Sequence, residues 1–130
     1  MRSRHKHAGL LLVAILGTAA LTRVRLWLIP DGAGLTVAGH HIHHLFVGVG
    51  LMAIGGIPAA LTRTHSVWKK PSVVIFGVGI GLALDEMVLM IVRDTVPETA
   101  YSSSVSVVGA VSLVVLACIY VLVAVAMTDD

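Results

Sequence analysis

Apolar residues dominate the chain in four long runs, Ala8 to Ile29, Val37 to Leu61, Ser72 to Val92 and Ser104 to Met127. Short segments where charge, proline and glycine collect separate them. Each run reaches the roughly 20 residues that a helix needs to cross a hydrocarbon layer about 30 Å thick. The pattern predicts four membrane-spanning helices in one transmembrane domain covering residues 1–130. Short connections place sequential helices side by side and antiparallel, so the expected fold is all-α, an up-down-up-down four-helix bundle. Pro58 should kink the second helix, with neighbours or water satisfying the freed carbonyl.

Composition agrees with this reading and narrows it. Of 130 residues, 57% are hydrophobic and only 12% charged, with a mean hydropathy of +0.96, whereas soluble domains run near a quarter charged. No stretch outside the runs is long enough for a separate soluble domain, so any chemistry must be built in the bilayer or at its surface. The single cysteine, Cys118, lies inside an apolar run, which excludes a disulfide framework and a cysteine-based zinc site.

The net charge of +2 comes from short clusters that flank the runs rather than from a basic face. Such clusters set membrane topology, and no nucleic-acid partner is expected. Arg2, Arg4 and Lys6 precede the first run and Arg63, Lys69 and Lys70 follow the second, against Arg23, Arg25 and Arg93 on the other side. By the positive-inside bias both termini are expected in the cytoplasm. The first run is read as a span rather than a cleaved signal peptide, because Arg23 and Arg25 follow it at once.

Two polar groups interrupt this apolar background. The second run opens with His40, His41, Ile42, His43 and His44, four of the chain's seven histidines. On a continuous helix His40, His41 and His44 would occupy an arc of roughly 100°, at the i,i+3 and i,i+4 spacings that let two imidazoles share one metal ion; His43 would fall about 60° outside it. The third run carries Asp85 and Glu86 side by side, about 10 to 12 Å from the Arg93 edge. Carboxylates at that depth cost at least a few kcal/mol each unless paired or solvated, and are functional candidates by default. Histidines and carboxylates reach similar depths on neighbouring antiparallel helices, and Tyr101, Ser102, Arg23, Arg25 and Arg93 lie toward the same end. The collection predicts a cavity open to the outer face.

Three kinds of chemistry suit such a cluster. In the first, His40, His41, His44, Asp85 and Glu86 hold a divalent metal, Zn or Fe, and Asp85 or Glu86 acts as a general base in a hydrolase or oxygenase working on a lipid or lipid-linked substrate. In the second, the adjacent carboxylates and histidines form a proton- or metal-coupled site in a small transporter. In the third, Asp85 and Glu86 pair with Arg23, Arg25 or Arg93 and hold together a non-catalytic assembly or accessory subunit. The small-residue pattern of the third run, with Gly77 and Gly81 four apart, serves ordinary helix packing and also allows a homodimer. Membrane lipids are the other expected partner.

His40, His43 and His44 form an HxxHH box that resembles those of membrane fatty-acid desaturases and hydroxylases. Those families use several boxes and this chain has one, so the resemblance implies a di-iron centre only if a homodimer or the carboxylates supply the missing ligands. Over a longer stretch, HHIHH at 40–44, then Gly81-Leu82-Ala83-Leu84-Asp85-Glu86, then Tyr101 before the fourth run resembles a group of small prokaryotic four-span membrane proteins. That resemblance implies a prokaryotic cytoplasmic membrane as the location, treats the histidines and carboxylates as one unit, and implies no substrate.

Overall fold

The computed structural model describes residues 2–28, 35–37, 40–92 and 104–127, the side chains of residues 2, 35–37, 40, 41, 89 and 92 excepted. The element order is α1 (Arg2–Leu28), β1 (Leu35–Val37), β2 (His40–Ile42), α2 (His44–Leu61), α3 (Lys69–Val92) and α4 (Ser104–Met127). All four helices are long and apolar enough to cross a membrane. Exposure is inverted relative to a water-soluble fold. Leu21, Ile54, Leu61 and Leu122 are exposed, whereas Asp85, Glu86 and Ser106 are buried. A chain that hides carboxylates and presents leucine and isoleucine outward is solvated by lipid. Trp27 and Trp68, 81% and 68% exposed, stand at opposite ends of the bundle, at the two levels where indole rings anchor in headgroups. The protein is a multi-pass membrane protein.

The second helix starts later than its hydrophobic pattern predicts. The expected span from Val37 is a short hairpin followed by a helix from His44: β1 and β2 pair antiparallel, Leu35 opposite Ile42 and Val37 opposite His40. Thr36, Val37 and Ile42 are β-branched and favour the extended backbone, which continues into His43 (φ −66°, ψ 140°), the residue that precedes the first turn of α2. His40 and His41 therefore lie on a strand, and the helical face expected to join them to His44 does not form.

Helix α3 is the spine. It packs against α1, α2 and α4, and α1 also meets α4. The reason is legible in its small residues, which alternate at Gly77, Gly79, Gly81 and Ala83. Positions two apart are about 200° apart on a helix and positions four apart about 40°, so this alternation makes two stripes on nearly opposite sides. Gly77 and Gly81 face α1, where added methyl groups would meet Ala14 Cβ at 2.7 Å and Ile15 O at 2.8 Å. Gly79 faces α2, where an added methyl would meet Gly48 O at 2.6 Å. The GxxxG pair is thus used inside the chain, against α1, and does not present a free dimer face.

Helix α2 is held at its far end by a cation from the same spine. The Lys69 ammonium donates to Ala59 O and, at 3.4 Å, to Thr62 O, carbonyls at the C-terminus of α2 where positive charge is favoured. Pro58 lies in the last turn rather than mid-helix, and its carbonyl accepts from the Thr62 N–H at 2.9 Å and from the Thr62 hydroxyl at 2.6 Å.

Close approach of α2 and α3 through Gly48 and Gly79 predicts that Gly79→Val separates them at a cost of about 1–3 kcal/mol. Gly50→Val, at a position with open space around it, should leave the unfolding midpoint in detergent unchanged. Equal destabilisation by the two substitutions would contradict the packing described.

Candidate functional site: a buried acid–base cluster

Asp85 and Glu86 occupy the end of the bundle opposite Lys69, 2% and 1% exposed. As adjacent residues they point about 100° apart, and they serve different helices. Asp85 continues the stripe of Gly77 and Gly81 toward α1, and Glu86 lies almost in line with Gly79 toward α2. The carboxylates therefore diverge instead of forming one two-carboxylate site.

Asp85 meets Arg23 of α1. The Arg23 Nε–H donates to Asp85 Oδ1 at 2.5 Å and Nη2 donates to the Asp85 backbone carbonyl at 3.1 Å. The same Nη2 lies 3.4 Å from both the carbonyl and the hydroxyl oxygen of Ser106 on α4. One guanidinium thus bridges α1, α3 and α4, using the planar fork that suits arginine to such a junction.

Glu86 turns to α2. Its Oε1 accepts from His43 Nδ1 at 2.6 Å, and its Oε2 accepts from the Leu45 backbone N–H at 2.6 Å. His43 makes no side-chain cap of its own helix, so Glu86 supplies, from a neighbouring helix, the oxygen that an N-cap residue normally supplies. An anion at a helix N-terminus is favoured by the dipole and by the otherwise unpaired N–H groups.

This geometry redistributes the roles expected from sequence. Among the described residues, His43, placed outside the main histidine arc, hydrogen-bonds a carboxylate. His44 opens α2. Among the described residues, no three His, Cys, Asp or Glu side chains group as metal ligands would. Two donors on one tetrahedral ion at about 2.1 Å each stand about 3.4 Å apart. The 2.6 Å between His43 Nδ1 and Glu86 Oε1 is instead the length of a direct hydrogen bond. Arg25 is exposed. The side chains of His40 and His41, together with Arg93, Tyr101 and Ser102, lie outside the described residues. Nor do the carboxylates line the open cavity expected for them: both are packed shut. Ser106, fully buried, is one of the polar residues that open the fourth run, and its contact with Arg23 depends on how α1 and α4 pack, which the sequence pattern does not give.

Removing one partner of a buried pair strands the other's charge. Asp85→Ala should therefore cost about 3–5 kcal/mol in a denaturant titration in mixed micelles, and Asp85→Leu combined with Arg23→Leu should recover most of that loss. His43→Ala removes one hydrogen bond to Glu86 and leaves the Leu45 N–H in place, and should cost less, about 1–3 kcal/mol. Losses in the double variant that equal the sum of the single losses would show that Arg23 and Asp85 are not coupled.

No family model, curated protein or solved structure matches this chain.

Proposed function

We propose that this protein is a non-catalytic membrane subunit whose acid–base cluster is a lock between helices rather than a reaction centre. The observation that carries this reading is closure. Each carboxylate has protein donors, and among the described residues no buried side-chain nitrogen or oxygen lacks a hydrogen-bond partner. A site that binds a substrate or an ion holds polar atoms poised for it, and Asp85 and Glu86 are committed to Arg23 and to the start of α2.

The lock has a positional consequence. Glu86 grips His43 and Leu45, within three residues of the end of β2, and so fixes where the histidine-bearing hairpin leaves the membrane helix. In this reading the subunit offers a rigid four-helix body with that hairpin at one end, for assembly with other chains in the same membrane.

Metal content and folded yield, measured together on detergent-purified protein, test the proposal. Wild type should carry no stoichiometric metal. Asp85→Ala and Glu86→Ala should lose folded protein, and His44→Ala should retain it. About one equivalent of Zn or Fe per chain, lost from His44→Ala and Glu86→Ala at unchanged folded yield, would overturn the subunit reading in favour of a metalloenzyme. A pH-linked ion flux in liposomes, abolished in the same variants, would overturn it in favour of a transporter.

A further inference from the structure

The opposite end of the bundle is built differently. A cleft of about 450 Å³ opens between the start of α1, the start of α3 and the end of α4. Its rim carries Arg4, His7 and Lys69, and its floor Leu11, Val73 and Val121. A second cleft of about 350 Å³ adjoins it, with His7 and Thr64 lining both, and adds Lys6, His65 and Lys70. Among the described residues neither cleft is lined by an aspartate or a glutamate. Two acidic residues, Asp129 and Asp130, follow α4 in the sequence and lie outside the described residues.

We propose that this end binds an anionic phospholipid, with the phosphate among Lys6, His7 and Lys70 and one acyl chain along the apolar floor between α1 and α4. Basic residues alone would be an ordinary topology signal. The cleft adds a cationic rim continuous with an apolar channel on the same helices. From Arg4 to Leu11 the channel follows α1 for about 10 Å, leading from the charged end of the helix into its apolar stretch. Such a shape complements a molecule with a negative head and a hydrocarbon tail, in the way basic pockets between membrane helices hold anionic headgroups. Free phosphate would satisfy the rim and leave the floor uncovered. Lys69, whose ammonium is engaged by the C-terminal carbonyls of α2, couples the rim to the seating of that helix.

The proposal is independent of the carboxylate cluster at the other end and is tested separately. Delipidated full-length protein in mild detergent is titrated by native mass spectrometry with phosphatidylglycerol, with phosphatidylcholine of the same chains, and with inorganic phosphate. The expected result is a saturable 1:1 adduct with phosphatidylglycerol, about ten-fold tighter than with phosphatidylcholine. Lys6→Gln/His7→Gln/Lys70→Gln should abolish the preference. Val121→Trp keeps every charge and fills the channel, and should weaken the anionic adduct by a similar factor. Both variants are first shown to unfold at the wild-type midpoint. Equal affinity for the two lipids would overturn the proposal. So would anionic adducts that add without saturation and ignore Val121→Trp, the behaviour of surface charge alone. Displacement of the lipid by stoichiometric inorganic phosphate would reassign the site to a free anion.

Discussion

A membrane helix has two ends at which backbone donors and acceptors lack partners, and in hydrocarbon each such group costs several kcal/mol. In this protein one helix, α2, has both ends completed by its neighbour. Glu86 accepts from the Leu45 N–H at the start of α2, and Lys69 donates to the Ala59 and Thr62 carbonyls at its finish. The 17 helical steps from Lys69 to Glu86 span about 26 Å of α3, the length of the 18-residue α2. The anion meets the positive end of the α2 dipole and the cation meets the negative end. This grip requires α2 to lie close against α3, which Gly48 and Gly79 permit, and it sets the boundary at which the chain leaves β2 and becomes helical.

The remaining helices join the same spine by the same logic. Gly77 and Gly81 admit α1, and one turn further along the same stripe Asp85 receives Arg23. Arg23 in turn reaches Ser106 on α4. Adjacent carboxylates in a membrane span suggest a two-carboxylate reaction centre or a shared proton. Here the 100° step between neighbouring helical positions separates them, and each becomes the terminal polar tie of a different helix–helix interface. The two ends of the molecule consequently differ in kind. The carboxylate end is packed shut around its charges, whereas the basic end is cleft and rimmed with cations.

Much of this was legible in the amino-acid order, unevenly. The four spans follow from apolar run length, and α4 begins and ends at Ser104 and Met127 as the pattern predicts. Helix α2 starts later than the apolar run, because hydropathy does not distinguish an apolar strand such as Leu35–Val37 from the first turn of a helix. The long-range contact that decides it, Glu86 with Leu45, spans 41 residues. The same ambiguity reaches the histidines: helical spacing groups His40 and His41 with His44, whereas their backbone lies on β2. The partition of Asp85 and Glu86 was available in the alternation of Gly77, Gly79, Gly81 and Ala83, which marks two opposite faces and puts each carboxylate on one of them. Lys69 reads from sequence only as a topology charge, since its role depends on α2 ending beside it.

The most direct test of this account is amide hydrogen exchange across the first turn of α2, in lipid nanodiscs, comparing wild type with Glu86→Gln. The account predicts that the Leu45 amide is strongly protected in wild type. In the variant its exchange, and that of the amides beside it, should be accelerated by at least about ten-fold, while the glycine-packed middle of α3 stays protected. Equal protection of Leu45 in the two proteins would mean that Glu86 does not hold the start of α2, and the central claim would fail.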